Sequence, residues 1–512
     1  MTLDALSRQR LFPWAASILT ALLHIIIFPR FEISWFAFVC FIPLLLLVKT
    51  EAPRRLFLFG LLSGIIFNAG NLYWIYFVIQ HYSSVPPLVC VGILMLLCIV
   101  LALFWGIFLF LSGILRERAG LEKALLIAPF LWTLLEWARM HITQFPWCLF
   151  GYSQYNHLRI AQLASFAGVY GLSWILVAFN ASIVMLVILR KKYYALAIGS
   201  FLVVIGVYGH FRIQQPVGEN TARIGLVQGN VPQDVKLNYK FGESIHRRHI
   251  DMSKDLLIKS KPNIIFWSEA ATLFPLRDGG IWTEQIRELA SSSHTPIILG
   301  SDTFKGKEIF NSAYLVNEKG EIESQYDKVY LVPFGEFVPL KKIFFFAGKM
   351  VPEISDFTHG TNFEPFVIRG EKISINICFE VVFPQLSRKF CLRGATLLAT
   401  ITNDAWFGRT AAPYQHFAMA VMRAIENRRY LVRCANTGIS GFVDPYGRIL
   451  QTTNLFVPAE ISGEVRFINE KTFYTQYGDW IVYLSIVVCA MAVWSAGFSR
   501  HYGSRTSVRA TK

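Results

Sequence analysis

Cysteine spacings that would build a disulfide framework or a metal site are missing from this 512-residue chain. Its eight cysteines include no CxxC pair, and no Cys/His cluster has the spacing of a zinc site. We therefore predict no structural disulfides, no metal and no cofactor. Three of the cysteines fall outside apolar segments, namely Cys378, Cys391 and Cys434.

Charge is also scarce. Charged residues make up 16% of the chain and hydrophobic residues 54%, a balance typical of membrane proteins rather than of large soluble enzymes. Lys and Arg number 49 against 34 Asp and Glu, which gives a net charge of +15. Because the basic excess of a membrane protein concentrates in its cytoplasmic loops, this charge does not indicate a nucleic-acid partner.

A signal-peptide cleavage site is missing as well. No small-residue site follows the first apolar segment, so we interpret that segment as a retained transmembrane helix. Apolar runs of about 20 residues, the length that crosses a bilayer, recur along the chain. They lie near residues 11–28, 33–49, 56–80, 87–115, 123–139, 165–190, 193–211 and 478–498. The sequence therefore predicts eight transmembrane helices.

Basic residues cluster in every second connection between these spans. They are Arg8, Arg10, Lys49, Arg54, Arg55, Arg116, Arg118, Lys123, Arg190, Lys191, Lys192, Arg500, Arg505, Arg509 and Lys512. With eight spans these connections lie on one side of the membrane, the cytoplasmic side by the positive-inside rule. We predict cytoplasmic termini, a seven-helix membrane domain over residues 1–211, an outer domain over 212–477, and a last helix with a basic tail over 478–512.

The outer domain has the patterns of a mixed α/β fold. Predicted strands are Ala222–Gln228, Asn263–Trp267, Pro296–Gly300, Ala313–Val316, Ile322–Tyr326, Ile373–Cys378, Thr396–Thr402, Tyr430–Ala435 and Gly441–Asp444. Predicted helices are Glu243–Lys259, Trp282–Ser291 and Pro413–Arg428. Asn317-Glu-Lys-Gly320 and Asp444-Pro-Tyr-Gly447 are typical of hairpin turns.

Three segments of this domain carry an ionisable residue at a strand end. Glu269 follows the apolar strand of Ile264–Trp267, where α/β sheets place catalytic groups, although a solvated loop acid would have the same surroundings. Lys328 is flanked by aromatic residues and precedes Glu336 in a turn bounded by Pro and Gly. A lysine near apolar walls is costly without a partner, which favours an ion pair there.

Cys378 is the third of these residues. Ile373, Ile375 and Ile377 share one face of a short strand, and Cys378 has the opposite parity. A thiol where a strand turns into a helix lies near backbone N–H groups, which suits a nucleophile. A small buried hydrophobe, the usual fate of a free cysteine, is the alternative.

A carboxylate, an ammonium and a thiol on separate segments supply a base, an oxyanion partner and a nucleophile. The three segments resemble those of the nitrilase superfamily, whose members use a Glu-Lys-Cys triad in an α-β-β-α sandwich. The chain as a whole resembles the bacterial apolipoprotein N-acyltransferase family. The motifs that carry this likeness are Gln228-Gly-Asn-Val-Pro-Gln233, Leu331-Val-Pro-Phe-Gly-Glu-Phe-Val-Pro339, Thr402-Asn-Asp-Ala-Trp-Phe-Gly408, Gln415-His-Phe417, Phe145-Pro-Trp147 and Gly151-Tyr-Ser-Gln154.

The resemblance implies roles for these residues. Glu269 would be the general base, Lys328 the oxyanion-stabilising lysine and Cys378 the nucleophile, with Glu336 and Glu380 as supporting acids. Two positions depart from the family. Phe379 stands where a tyrosine is frequent, and Leu237 stands where an aromatic residue is frequent, so contacts to the substrate are where this chain would differ.

The resemblance also implies a ping-pong acyl transfer. The Cys378 thiolate takes an acyl chain from a phospholipid, and the N-terminal α-amine of a diacylglyceryl-modified apolipoprotein then attacks the thioester. It further implies a bacterial inner-membrane enzyme with a periplasmic catalytic domain, and we expect a monomer. A membrane-tethered amidase that hydrolyses a small amide is the alternative enzyme, and a non-enzymatic binding or transport protein would have lost the triad.

Further residues invite roles beyond the triad. Asn403 and Trp406 follow a strand end and are candidates to line the site. His416 is expected to support the structure rather than bind a metal, because no second ligand lies nearby in sequence. Phe344 and Phe345 lie in an apolar stretch after Lys341 and Lys342, which predicts either a loop that enters the outer leaflet or a core helix.

Overall fold

A computed structural model describes residues 10–218, 220–236, 238–337 and 356–507, with side chains except those of residues 239 and 496–507. The chain divides into two compact units. The first comprises Met1–Tyr73, Leu88–Ile213 and Tyr477–Lys512, and the second comprises Trp74–Pro87 and Gln214–Gln476.

The first unit is helical in its described residues. Its helices are α1 (Phe12–Ile26), α2 (Ile42–Leu47), α3 (Pro53–Leu72), α5 (Pro87–Ala119), α6 (Leu121–Thr143), α7 (Leu158–Ala161), α8 (Ala164–Leu189), α9 (Lys192–Arg212) and α16 (Trp480–Ser507). The helix between α3 and α5, α4 (Trp74–Tyr82), belongs to the second unit. Short 3₁₀ turns occur at Ser34–Phe38 and Phe150–Gln154.

Four of the described helices are long and apolar enough to cross a membrane, namely Pro53–Leu72, Pro87–Ala119, Ala164–Leu189 and Lys192–Arg212. The predicted spans near both chain ends and at 33–49 contain shorter apolar helices, at Phe12–Ile26, Ser34–Leu47 and Trp480–Ser495. The run at 56–80, predicted as one span, is two helices, α3 and α4. Hydropathy alone did not reveal this break, because both helices are apolar.

Small residues let α3 and α5 pack closely. A Cβ on Gly60 would lie 2.5 Å from the main-chain oxygen of Trp105, and a Cβ on Gly64 would lie 2.8 Å from Ala102. Close backbone approach through glycine is a common way for membrane helices to associate. Trp105 in turn stacks on Phe41, so this contact leads directly into the aromatic core of the unit.

Two charged residues of α6 hold the motifs that follow this helix. The Phe150 N–H donates to Glu136 Oε1 at 2.7 Å, and Arg139 donates to the Trp147 carbonyl at 3.0 Å. Both side chains are buried. A buried charge needs such partners, so these two contacts hold the Phe145–Gln154 connection against α6.

The second unit contains all twelve described strands. They are β1 (Thr221–Gln228), β2 (Ile264–Trp267), β3 (Ile297–Lys305), β4 (Glu308–Val316), β5 (Ile322–Asp327), β6 (Phe366–Ile368), β7 (Glu371–Ile377), β8 (Leu397–Thr402), β9 (Leu431–Ala435), β10 (Gly441–Val443), β11 (Ile449–Thr452) and β12 (Ala459–Arg466). They form two six-stranded sheets, in the orders β12-β1-β2-β3-β4-β5 and β11-β10-β9-β8-β7-β6.

Each sheet has a parallel centre. β1, β2 and β3 are parallel in the first sheet, and β7, β8 and β9 are parallel in the second. The sheets face each other, with β1 and β2 against β9 and with β4 against β7. Parallel strands are buried on both faces, which explains their continuous apolar runs.

Helices cover the outer faces. Besides α4, the helices of this unit are α10 (Gln233–Lys236), α11 (Gly242–Ser260), α12 (Ile281–Ser293), α13 (Pro384–Leu392), α14 (Ala412–Asn427) and α15 (Phe473–Tyr477). Leu256 of α11 and Ile286 of α12 pack with Trp267 and Leu299 in the core of the first sheet. α13 and α14 pack on β7 and β9 of the second sheet. The predicted α-β-β-α sandwich is confirmed.

Candidate active site

The three predicted chemical residues each follow a strand. Glu269 comes two residues after β2, Lys328 directly after β5 and Cys378 directly after β7. Asn403 likewise follows β8. The ends of β2, β5, β7 and β8 therefore bring together side chains from positions 269 to 403 of the sequence.

Cys378 has an unusual backbone. Its φ is +52°, in the left-handed region that residues with a Cβ rarely adopt. It begins the 3₁₀ turn Cys378–Val382, which leads into α13 through Pro384. The side chain is buried, with 8% of the residue exposed. A sharp strand-to-helix turn of this kind presents a nucleophile at the edge of a sheet.

Glu380 ties this turn to the lysine segment. Its Oε2 accepts from the Ile377 N–H at 2.8 Å, and its Oε1 accepts from the Tyr326 hydroxyl at 2.8 Å and the Val329 N–H at 2.6 Å. The Tyr330 N–H adds a fourth bond at 3.1 Å. Burial nevertheless raises the pKa of Glu380 to about 7. One fully buried carboxyl group thus aligns the segments that carry Cys378 and Lys328.

Lys328 lies between two carboxylates. Its Nζ is 3.2 Å from Glu269 Oε1 and 2.8 Å from Glu336 Oε1. Asn311 donates to the same two oxygens, at 2.8 and 2.9 Å. The Asn403 N–H donates to Glu269 Oε2 at 2.7 Å, and the Val332 N–H donates to Glu336 Oε2 at 2.8 Å. Both carboxylates are therefore oriented by donors on both oxygens.

These contacts set the charge state of the cluster. Burial opposes the charge of Lys328, but Glu269 and Glu336 outweigh it and raise the pKa of the ammonium above its ordinary value. Burial likewise opposes the charge of Glu269, but Lys328 and Asn311 lower the pKa of that carboxyl overall. The lysine is charged and Glu269 is ionised at neutral pH.

The thiol of Cys378, in contrast to Lys328 and Glu269, is kept in its neutral form. Burial, and then the negative charge of Glu269, raise the pKa of Cys378 well above its ordinary value, while Lys328 opposes that rise. The resting group is therefore the neutral thiol rather than a preformed thiolate. An ionised carboxylate close enough to interact with a neutral thiol is an arrangement for general-base activation.

A second buried lysine was missed by the sequence analysis. Lys236 in α10 donates to the Glu269 carbonyl at 3.0 Å, and burial lowers its pKa to about 8. Asp302 lies on β3 opposite Asn311, and burial together with the charge of Glu269 raises its pKa to about 7. Lys236 stands three residues after the motif that ends at Gln233, and nothing in its local pattern indicates that it reaches the end of β2.

Asn403 belongs to an amide network. Its side chain donates to Gln233 Oε1 at 2.7 Å and accepts from Asn436 at 2.9 Å. Asn436 also receives the Val231 N–H at 2.9 Å. The motif that contains Gln233 therefore supports the segment whose N–H donates to Glu269, so Asn403 lies in the site as predicted but its side chain is committed to this network.

Trp406 lies beside the segment Trp74–Pro87. Its ring meets that of Tyr82 edge-on at 4.8 Å, and the Tyr82 hydroxyl donates to the Ala405 carbonyl at 3.2 Å. Trp74 similarly contacts Phe407 at 5.0 Å. The sequence did not associate residues 74–87 with this domain.

The remaining predicted residues have these positions. Phe379 is buried and meets Phe383 edge-on at 5.2 Å, so an apolar ring fills this position. Leu237, Phe344 and Phe345 lie outside the described residues. Among the residues that the structure describes, no group of three or more His, Cys, Asp and Glu could hold a metal ion.

Comparisons with known proteins agree over almost the whole length. Residues 20–182 match the model of the apolipoprotein N-acyltransferase N-terminal domain, and residues 223–462 match the carbon-nitrogen hydrolase model. The chain is 37% identical to an apolipoprotein N-acyltransferase of Geobacter metallireducens over 96% of each chain. It is 31% identical to one of Pseudomonas putida, over 87% of this chain and 88% of that one. A solved amidase from Nesterenkonia sp. is also similar, with 19% identity and a TM-score of 0.36 over 51% of this chain and 98% of that chain.

Proposed function

The chain belongs to the apolipoprotein N-acyltransferase family, and we propose on that basis that it moves a fatty acyl chain from a phospholipid to the N-terminal α-amine of diacylglyceryl-modified apolipoproteins. The product is a triacylated lipoprotein. The observation that carries the chemistry is the ionised Glu269–Lys328 pair beside a neutral, buried thiol. The amidase alternative has no use for a membrane half, whereas residues 20–182 match this family.

The first half of the reaction loads the enzyme. Glu269 takes the proton of the Cys378 thiol while the sulfur attacks the ester carbonyl of the phospholipid. Lys328 stabilises the oxyanion, and it has three N–H groups of which Glu269 and Glu336 occupy two. The ester C–O bond breaks, the glycerol oxygen takes the proton from Glu269, and a lysophospholipid leaves a thioester on Cys378.

The second half returns the enzyme to its starting state. The neutral α-amine attacks the thioester carbonyl and loses a proton to Glu269. The C–S bond breaks, and Glu269 returns the proton to the sulfur. Glu269 therefore cycles twice between its ionised and protonated forms, which requires a carboxylate that Lys328 and Asn311 keep ionised between turnovers.

The membrane arrangement is the finer part of the proposal. Besides the four long apolar helices, α1, the Ser34–Leu47 region, α6 and α16 would complete eight spans. With eight spans the basic connections share one side, which supports cytoplasmic termini and a periplasmic second unit. We also propose that the enzyme acts as a monomer at the inner membrane, where both lipid-anchored substrates reside.

The test of this function is the intermediate itself. Purified protein incubated with phospholipid should carry an acyl thioester on Cys378, detected by mass spectrometry and cleaved by hydroxylamine. The Cys378→Ala variant should form no thioester and should not acylate lipoprotein. Cys391→Ala, which removes another buried cysteine of the same unit, should still form the thioester and acylate lipoprotein. Lipoprotein acylation by Cys378→Ala would refute the mechanism.

A further inference from the structure

The main chain of Cys378 needs support from both sides. A left-handed φ brings the Cβ of an L-residue too close to its own carbonyl oxygen, so this conformation persists only where neighbouring groups hold it. Glu380 holds the preceding peptide through the Ile377 N–H. On the other side, His416 Nε2 lies 3.1 Å from the Cys378 carbonyl oxygen.

The contacts of His416 determine which nitrogen carries its proton. The Cys378 carbonyl can only accept, so Nε2 must be the donor. Nδ1 lies 3.0 Å from Nη2 of Arg433, which can only donate, so Nδ1 must accept. Burial and the charge of Arg433 lower the pKa of the imidazole, in agreement with a neutral ring.

The surrounding charges keep this tautomer. Asp404 Oδ1 lies 3.1 Å from Nδ1 but already receives the Thr402 hydroxyl at 2.9 Å, and Arg433 also donates to Asp404 Oδ2 at 2.8 Å. All four side chains are buried, and their elements α14, β8, β9 and the turn at Asp404 meet behind the nucleophile. Arg433 thus orients His416, and His416 donates to Cys378.

We propose that His416 is a positioning residue for acyl transfer, whose neutral Nε2–H holds the Cys378 main chain in the conformation that presents its thiol to Glu269. The inference rests on the proposed role of Cys378 as nucleophile. His416 transfers no proton in this role. Its loss should therefore slow reactions of the thiol by the same factor at every pH, so that the pH profile of those reactions keeps its shape.

Three substitutions separate this role from simple packing. In His416→Gln the amide nitrogen can occupy the place of Nε2 and still donate to the Cys378 carbonyl. In His416→Asn the shorter side chain reaches only the place of Nδ1, and His416→Leu has no donor. A buried carbonyl left without its donor should lower the reactivity of Cys378 about tenfold in the Asn and Leu variants, and His416→Gln should stay within about threefold of the unsubstituted protein.

The measurement is the alkylation rate of Cys378 by iodoacetamide in purified full-length protein, followed by peptide mass spectrometry between pH 6 and 9. It needs no lipid, so it reports on the thiol even if the proposed substrates are wrong. Cys391 and Cys434 are buried in the same unit and serve as internal folding controls, since they should stay unreactive. His246→Leu is the matched control, because that buried histidine bonds Gln285 rather than a site residue.

The outcomes are distinct. The proposal is supported if Cys378 is alkylated slowly in the Asn and Leu variants and at a near-normal rate in the Gln variant, while Cys391 and Cys434 stay unreactive. Equal rates in the Gln and Asn variants overturn it, as does a changed shape of the pH profile, which would make His416 an acid or base. If Cys391 becomes reactive in His416→Leu, the alkylation rates of the Gln and Asn variants still decide between the two roles. Acylation by Cys378→Ala would instead remove the proposed function, whatever the alkylation rates.

Discussion

At the scale of single residues, the site depends on carboxyl groups whose partners determine their charge. Glu269 and Glu336 share Lys328 and Asn311, and these two partners keep the buried Glu269 ionised. Glu380 accepts hydrogen bonds from four neutral donors, which do not offset the effect of burial, so its pKa is raised. The same residue type is therefore the proposed base in one place and a structural anchor in another.

Glu269→Gln tests the base role. The amide keeps the shape of the side chain but cannot take the thiol proton, and the pKa of Cys378 is already raised by burial, so little thiolate forms without the base. We expect thioester formation and iodoacetamide alkylation of Cys378 to fall at least 100-fold, within the usual range for loss of a general base. An unchanged alkylation rate would count against this role.

Glu380→Gln tests the anchor role. A glutamine oxygen can accept from only part of the Ile377, Val329, Tyr330 and Tyr326 donors, and its NH₂ group would face a donor. We expect the free energy of unfolding to fall by about 1–3 kcal/mol and thioester formation to be lost. Thermal unfolding in detergent is the measurement, and Glu364→Gln, an exposed partner of Arg393, is the control that should change neither.

Asp302 gives the pH dependence of stability a definite sign. Its pKa is raised from its ordinary value to about 7, mainly by burial, so the folded protein favours the protonated carboxyl. The contribution of Asp302 to stability is present below about pH 4 and is lost as the pH rises through 7. We expect Asp302→Asn to remove this part of the pH dependence, so that its melting temperature falls less than that of the unsubstituted protein between pH 5 and pH 8. An identical decline in both proteins would contradict the assignment.

At the scale of elements, strand ends and helix contacts decide the geometry. All nine predicted strands exist, but β6, β11 and β12 were missed. β11 and β12 lie at sheet edges with few buried side chains, which weakens their apolar pattern, and β6 has only three residues. The hairpin turns at Asn317–Gly320 and Asp444–Gly447 were predicted correctly, because Gly320 and Gly447 adopt the positive φ that such turns need.

The close contact between α3 and α5 can be tested by substituting its glycines. Gly60→Ala would place a methyl group 2.5 Å from a main-chain oxygen, so the helices must separate. We expect a loss of about 1–3 kcal/mol in stability, seen as a lower melting temperature in detergent. Gly92→Ala is the matched control on α5 itself, where the new methyl group meets nothing within 4 Å, and it should leave stability unchanged or slightly higher.

At the scale of the whole molecule, a helical unit and an α-β-β-α unit are joined in one chain. The segment Trp74–Pro87 leaves the run of apolar helices and packs its aromatic rings on residues 405–408 of the second unit. Sequence hydropathy could not assign it, because an aromatic segment that packs on protein and one that faces lipid have the same composition.

The proposed topology can be tested on intact cells. A cysteine replacing Lys319, exposed in a turn of the second unit, should react with a membrane-impermeant maleimide added outside the inner membrane. A cysteine replacing Arg118, exposed at the end of α5, should react only after the membrane is permeabilised. The reverse labelling pattern would refute a periplasmic second unit, and equal labelling of both would refute the span count.

The sequence by itself was enough to predict the family, the sandwich and the residue types of the site. These depend on local periodicity and on short motifs at strand ends, and both are properties of neighbouring residues. The positions of Glu269, Lys328 and Cys378 followed from such motifs, although their catalytic roles stay a proposal.

Only the tertiary structure decided which groups face those residues. Lys236 reaches the Glu269 carbonyl, Glu380 collects donors from a segment some 50 residues away, and His416 reaches the Cys378 carbonyl. No local pattern predicts these partners, because each bond joins segments that only the folded chain brings together, and the bonds of Glu380 cross from one sheet to the other. A buried polar group must be paired, but the fold chooses its partner.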